Sequence, residues 1–189
     1  MLYGNEVKLE VDETNAVLII DTDNDKEAVL DYLMMEYGTD IVRLAYTYVK
    51  DMTLAEDLAQ EIFIKCYKSL HTFKHQSSYK TWLYRIGSNH CKDYVKSWHH
   101  RKVTISEKLT DLLTTSSNID EEIIKKSEDE ELVEAIFRLE VKYREVIYLH
   151  YYEEFSMKEI SQAIKINENT VKTRLKRARQ LLKEMMKEG

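Results

Sequence analysis

The sequence predicts an all-α protein with two small helical domains joined by a flexible linker. Proline is absent and only four glycines occur in 189 residues, so few positions interrupt a helix. Apolar residues recur at helical spacing through most of the chain. Hydrophobic residues make up 43% of it, which suits one core of moderate size or two small ones.

Capping boxes mark four helix starts, each with a polar cap residue followed three positions later by Glu. The two side chains satisfy backbone N–H groups that the first helical turn leaves free. The cap and its Glu are Asn24 and Glu27, Thr53 and Glu56, Ser127 and Glu130, and Ser156 and Glu159. These starts predict a first domain at residues 25–101, a linker at 102–127 and a second domain at 128–187.

Residues 1–24 differ from the rest of the chain. Val7, Leu9 and Val11 alternate with charged residues, and the apolar stretch 16–20 is β-prone. A small β-hairpin and a disordered acidic extension both fit this pattern.

Charge is sorted into blocks along the chain, although the net charge is only -6. The blocks are -11 over residues 1–61, +8 over 62–102, -7 over 103–167 and +4 over 168–189. Two separated basic segments predict two contacts with nucleic acid, where cations neutralise phosphates. The alternative is that each basic segment is only a solvated helix surface.

The helix after Thr53 has an apolar stripe through Leu58, Ile62 and Cys66. A second face mixes acids, an amide and one aliphatic side chain, and its members are Asp57, Gln60, Glu61 and Ile64. An aliphatic residue beside such a polar cluster favours a protein-binding surface. A plain solvated face is the alternative.

A helix over residues 78–98 has a face typical of single-stranded DNA binding. Trp82, Arg85, Asn89, Lys92 and Lys96 fall within an arc of about 80°. Such a face offers phosphate neutralisation, a stacking ring and an amide that reads an unstacked base. Phe73 begins the preceding polar loop and is a candidate pocket wall. Alternatively, Phe73 and Trp82 are core residues.

The C-terminal region has helix-turn-helix spacing. A short helix follows Ser156, a turn occupies 165–167, and Asn167 caps a second helix. Opposite the apolar stripe of that helix lie polar and cationic side chains, which include Asn169, Lys172, Thr173, Lys176 and Arg177. These residue types suit a DNA major groove. A helical hairpin with a basic solvent face is the alternative.

Nothing in the sequence predicts a catalytic residue, a metal site or a cofactor. Cys66 and Cys91 lie in apolar helical patterns, which predicts buried reduced thiols and a cytoplasmic protein. No apolar run is long enough to span a bilayer. A metal-dependent enzyme is a weaker hypothesis, since the spacing of its candidate ligands fits no closed zinc pattern. Those ligands are His71, His75, His90, Cys91, His99 and His100.

Three segments together resemble the extracytoplasmic-function (ECF) sigma factors of bacterial RNA polymerase. They are AEDLAQEIFIK at 55–65, YKTWLYRIGSN at 79–89 and the terminal helix-turn-helix. The resemblance extends over about residues 28–187. It implies a transcription initiation factor in which sigma domain 2 and sigma domain 4 are joined by a linker.

The resemblance also implies partners and residue roles. The partners are core RNA polymerase, promoter DNA and, for many members, an anti-sigma factor. By position, Asp57, Gln60 and Glu61 match the surface that docks on the polymerase. Phe73 and Asn89 match residues that capture an unstacked base of the −10 element. Trp82 and Tyr84 match the segment that melts the DNA. Lys172, Thr173, Lys176 and Arg177 match positions that meet the −35 element. The alternative function is a helix-turn-helix regulator that does not act through core polymerase.

Overall fold

A computed structural model describes residues 26–106 and 130–188, without the side chains of 99–106, 130 and 188. Its regular elements are all helical, which confirms the predicted fold class for this part of the chain. In chain order they are α1 (Lys26–Val49), α2 (Met52–Ser69), a 3-10 turn (Leu70–Thr72), α3 (Tyr79–Ser106), α4 (Glu130–Arg138), α5 (Val141–Ile147), a π-helical turn (Tyr148–Tyr152), α6 (Met157–Ile164) and α7 (Glu168–Glu188). We call α1–α3 the first module and α4–α7 the second module.

The helix starts only partly follow the predicted caps. The box at Ser156 is confirmed, because its hydroxyl accepts from the Glu159 N–H at 3.3 Å and its N–H donates to Glu159 Oε2 at 2.9 Å. The prediction for Thr53 is wrong. The cap of α2 is Asp51, whose carboxylate accepts from the Leu54 N–H at 2.9 Å. Asp caps a helix at least as well as Thr, so α2 begins at Met52.

Two other predicted caps, Asn24 and Ser127, lie outside the described residues. The question of a hairpin or a disordered extension at residues 1–24 falls there as well.

The first module is a three-helix unit in which α1, α2 and α3 pack on one another. Leu58, Ile62 and Cys66 of α2 are buried, as the predicted stripe requires. Gly87 lets α3 approach closely, because a Cβ there would lie only 2.9 Å from Leu44 Cδ2 of α1. The same Cβ would be 3.6 Å from Ile62 Cδ1.

The second module ends in the predicted helix-turn-helix, formed by α6 and α7. Asn167 caps α7 by accepting from the Thr170 N–H at 2.8 Å. The turn contains Lys165 in the left-handed conformation, with a φ of 54°, where a glycine is common. Ile160 and Ile164 of α6 are buried together with the stripe of α7.

The two modules pack against each other, which the sequence did not predict. The first module contributes α1 and α3 to this contact, and the second contributes mainly α5 and α6. The helix α3 also continues through Ser106, five residues beyond the predicted end of the first domain.

Candidate nucleic-acid interface

The outer face of α2 is open to solvent. Asp57, Gln60, Glu61 and Ile64 are all exposed, and Ile64 has 54% of its surface accessible. They are exposed because the opposite side of α2 carries the buried stripe. We call these four residues the acidic face.

One residue of the acidic face also contacts α3. Glu61 Oε2 lies 2.8 Å from Nε2 of His90, and Lys65 approaches the other ring nitrogen. Burial and the Lys65 ammonium together lower the pKa of His90 below its usual 6.5, although Glu61 acts in the opposite direction. The lowered pKa favours the neutral imidazole, which lies beside the Glu61 carboxylate.

The rings of Phe73, Tyr79 and Trp82 form an aromatic cluster at the start of α3. Phe73 is half-buried and stacks on Tyr79, with ring centroids 4.4 Å apart, and its centroid lies 5.1 Å from that of Trp82. Trp82 is only 3% exposed and Tyr84 is fully buried. The expectation that Trp82 forms an open stacking surface is wrong for this structure, because core packing covers its ring. The alternative, a core tryptophan, fits the observed burial.

The polar members of the predicted α3 face are more accessible. Arg85 and Asn89 are half-buried, and Lys96 is exposed. Lys92 is half-buried, because it is held in an ion pair described below. The cationic surface of α3 is therefore present, but its N-terminal part is covered.

The outer face of α7 is fully open. Its exposed side chains are Asn169, Lys172, Thr173, Lys176 and Arg177. Behind them, Val171, Leu175 and Ala178 are buried. The hydroxyl of Thr173 donates to the Asn169 carbonyl at 2.8 Å, while the amide and the cations point to solvent. The predicted arrangement of α7, with an apolar inner stripe and a polar cationic outer face, is confirmed.

Two protein-family models match the two modules. Sigma-70 region 2 matches residues 33–101, and Sigma-70, region 4 matches residues 129–182. The ECF RNA polymerase sigma factor SigM of Bacillus subtilis (strain 168) is 34% identical over 160 residues, which cover 85% of this chain and 96% of SigM. The chain belongs to the ECF sigma factors. It is an alternative sigma factor for transcription initiation, and a regulator that acts without polymerase is not favoured.

Further relatives agree with this sigma-factor assignment. The ECF sigma factor SigW of the same bacterium is 31% identical over 172 residues, covering 87% of this chain and 91% of SigW. Among solved structures, the sigma factor RpoE of Bartonella quintana, in complex with the anti-sigma factor NepR, has a TM-score of 0.66. That comparison covers 84% of this chain and 97% of RpoE at 21% identity, so it shows a shared fold.

In this sigma factor, two buried carboxylates of the second module bind lysines of α3. Glu145 Oε2 lies 2.9 Å from Lys92 Nζ, and Glu153 Oε2 lies 3.2 Å from Lys80 Nζ. Neither carboxylate was singled out by sequence reasoning. A signal existed for Glu145, since it lies directly before the apolar run Val146–Leu149 in an amphipathic helix.

The remaining sequence predictions concern cysteines, metals and membranes. Cys66 and Cys91 are free and buried, as expected, and burial raises the pKa of each thiol to about 12. Within the described residues, no three His, Cys, Asp or Glu side chains converge in a way that could hold a metal ion. None of the helices described has the length and apolar character needed to cross a membrane.

Proposed function

We propose that this sigma factor binds core RNA polymerase through the acidic face and directs it to promoters through two DNA contacts. The outer face of α7 contacts the −35 element as a duplex. The exposed part of α3, together with Phe73, contacts the −10 element after its strands separate. The protein acts in the cytoplasm, where it has no catalytic activity of its own.

The open outer face of α7 is the observation that carries this proposal. Its cations and amides are exposed on one side of a helix that is anchored by its other side, so α7 enters a major groove as a rigid body. Arg177 suits a bidentate contact with guanine, and Asn169 suits adenine. Lys172 and Lys176 are point charges, so we assign them to phosphates.

The −10 contact uses the accessible polar side chains of α3. Arg85, Lys92 and Lys96 neutralise phosphates, while Asn89 and Phe73 hold an unstacked base. Trapping such a base offsets the energy of strand separation only at compatible sequences. Trp82 and Tyr84 belong to the same segment, but their burial means that they act in melting only after local rearrangement.

An anti-sigma factor is a further proposed partner. Two solved structures with the same fold, RpoE with NepR and CnrH with the cytosolic domain of CnrY, are complexes. The partner of RpoE in its complex is the anti-sigma factor NepR.

Reconstituted run-off transcription tests the proposed function. With core polymerase and genomic promoter fragments, the wild-type protein should give defined start sites. Asp57→Arg reverses a charge in the acidic face, so we expect binding to core polymerase to weaken by about tenfold or more. Glu36→Arg makes the same change at an exposed position of α1 and serves as control. Unchanged affinity for Asp57→Arg would remove the acidic face from the docking surface.

A further inference from the structure

A cavity of about 490 Å³ lies between α1 of the first module and α4 and α5 of the second. Lys80 of α3 and residues of the π-helical turn also line it. Ligand sites in proteins commonly occupy about 300–1,000 Å³, so a small molecule fits a space of this size. None of the contacts proposed above with DNA or polymerase uses this cavity.

One wall of the cavity is apolar. Val133, Ile136 and Phe137 of α4 line it together with Ile147 of α5. The Phe137 ring is fixed by an edge-on contact with Tyr46 of α1, with centroids 5.3 Å apart. Hydrocarbon surface of this kind is better covered by an apolar group than by water, so an occupant with a hydrocarbon part is favoured.

The same cavity is lined by a buried cation, Arg144, which is 2% exposed. Its Nε donates to the carbonyl of Thr47, and its Nη1 donates to the carbonyls of Phe137 and Leu139. Within the described residues, no hydrogen bond uses Nη2 and no carboxylate forms an ion pair with the guanidinium. Burial lowers its pKa to about 10, so the group is still charged at neutral pH. A buried charge without a counter-ion is costly, and a bound anion would relieve that cost.

The other charged groups of the cavity already compensate one another. Asp40 pairs with Arg43 at 2.9 Å, and Glu153 pairs with Lys80 at 3.2 Å. Glu153 also accepts from the Tyr148 hydroxyl at 2.7 Å. The lining therefore keeps one positive charge in excess, and that charge is the buried guanidinium.

A second cation strengthens the positive field beside the cavity. Lys50, at the end of α1, donates to the same Phe137 carbonyl as Arg144. Burial and the charge of Arg144 lower the pKa of Lys50. Two cations that repel each other at one carbonyl would both be stabilised by an anion in the adjoining space.

We propose that the cavity binds a single-chain amphiphile with an anionic head, in which the head pairs with Arg144 and the chain lies on the wall of Val133, Ile136 and Ile147. Carboxylate and phosphate heads share the oxygen acceptors that a guanidinium binds. At about 30 Å³ for each water-sized group, the cavity holds about sixteen non-hydrogen atoms, which allows a chain of about ten carbons. The bound molecule would contact both modules.

Isothermal titration calorimetry on the full chain tests the choice of ligand. The probes are decanoate and decyl phosphate, which distinguish a fatty acid from a phospholipid-like source. We expect one molecule of the preferred probe to bind per chain, at least tenfold more tightly than uncharged decanol or cationic decyltrimethylammonium. Equal affinity for decanol would overturn the pairing of the head with Arg144. Equal affinity for acetate or inorganic phosphate would overturn the role of the apolar wall.

The first variant is Arg144→Gln, which removes the positive charge. The affinity for the preferred probe should fall at least tenfold. The matched control is Arg138→Gln, at an exposed arginine of α4 that does not line the cavity, and its affinity should not change. Circular dichroism establishes that both variants remain helical. Equal affinities of the two variants would overturn the proposal.

The second variant, Val133→Phe, fills the cavity and removes no hydrogen bond. Binding should be lost, while the Tm without ligand stays the same or rises, as cavity-filling substitutions commonly do. Val95→Phe, at a half-buried residue of α3 outside the cavity, is the control and should bind normally. If Arg144→Gln does not fold, Val133→Phe decides the question alone. Undiminished binding by Val133→Phe would overturn the cavity as the site.

Thermal melts separate specific binding from a detergent effect. At ten times its Kd, the preferred probe should raise the Tm of the wild type by about 3–5 °C and leave the Tm of Val133→Phe unchanged. A lowered Tm in the wild type would identify detergent-like binding and overturn the proposal. Neither titration nor melting uses DNA or polymerase, so a negative result here leaves the proposed function intact. A failure of run-off transcription would likewise leave amphiphile binding standing.

Discussion

Arg144 and Glu145 are adjacent in α5, and both are buried although each carries a charge. Arg144 is 2% exposed and donates to the carbonyls of Phe137 at 2.9 Å and Leu139 at 3.1 Å. It also donates to the Thr47 carbonyl at the end of α1. Burial lowers the pKa of the Arg144 guanidinium to about 10, which still leaves it charged at neutral pH. Arg144 therefore joins α5 to α1 through backbone atoms rather than through a carboxylate.

We expect Arg144→Ala to lower the free energy of unfolding by about 3 kcal/mol, because it leaves buried carbonyls without donors. Urea unfolding followed by circular dichroism measures the loss. The control is Arg138→Ala, which removes an exposed ion pair with Glu134 at 3.4 Å and should cost about 0.5 kcal/mol or less. Equal losses in the two variants would show that the buried hydrogen bonds contribute little.

At the scale of the element, α1 and α3 each contain one glycine, and the surroundings of the two differ. A Cβ at Gly38 in α1 would meet nothing within 4 Å. A Cβ at Gly87 in α3 would press on Leu44, which is itself fully buried. Helix propensity favours alanine at both positions, so only packing can make the outcomes differ.

We expect Gly38→Ala to raise the free energy of unfolding by about 0.5–1 kcal/mol, through helix propensity alone. The same substitution at Gly87 should lower it by about 1–2 kcal/mol, because Leu44 must leave its packed position. Thermal melts of the two variants compare them under one condition. Stabilisation by Gly87→Ala would mean that α1 and α3 separate easily at this point.

The helices themselves were largely predictable from local pattern. The stripe of α2 and the outer face of α7 followed from a 3.6-residue period, because each helix packs along one side. The cap of α2 did not follow, since Asp51 and Thr53 are both good caps only two residues apart. The burial of Trp82 and Tyr84 was also beyond local pattern, because periodicity gives the direction of a side chain but not what covers it.

At the scale of the whole molecule, the contact between the modules could not be predicted from local pattern. Its bonds join residues far apart in sequence: Tyr48 and Glu145 are separated by 97 positions, and Lys80 and Glu153 by 73. Residues 103–167 carry a net charge of -7, and nothing in the sequence distinguishes Glu145 and Glu153 from the other acidic residues of this block. Their pairing with lysines of the basic block 62–102 depends on how whole domains meet.

Two DNA surfaces on separate modules should fail in different ways. We expect Arg177→Ala, on α7, to weaken binding to −35 duplex by about tenfold. At saturating concentrations of this variant with core polymerase, the promoter should still open. Asn89→Ala, on α3, should leave duplex affinity unchanged but reduce permanganate-reactive thymines in the −10 region, since an unstacked base loses its partner. Lys142→Ala, an exposed cation of α5, serves as the control for charge. If Arg177→Ala loses as much affinity for random duplex as for −35 duplex, Arg177 contacts only phosphate and reads no base. Unaltered thymine reactivity in Asn89→Ala would exclude Asn89 from base capture.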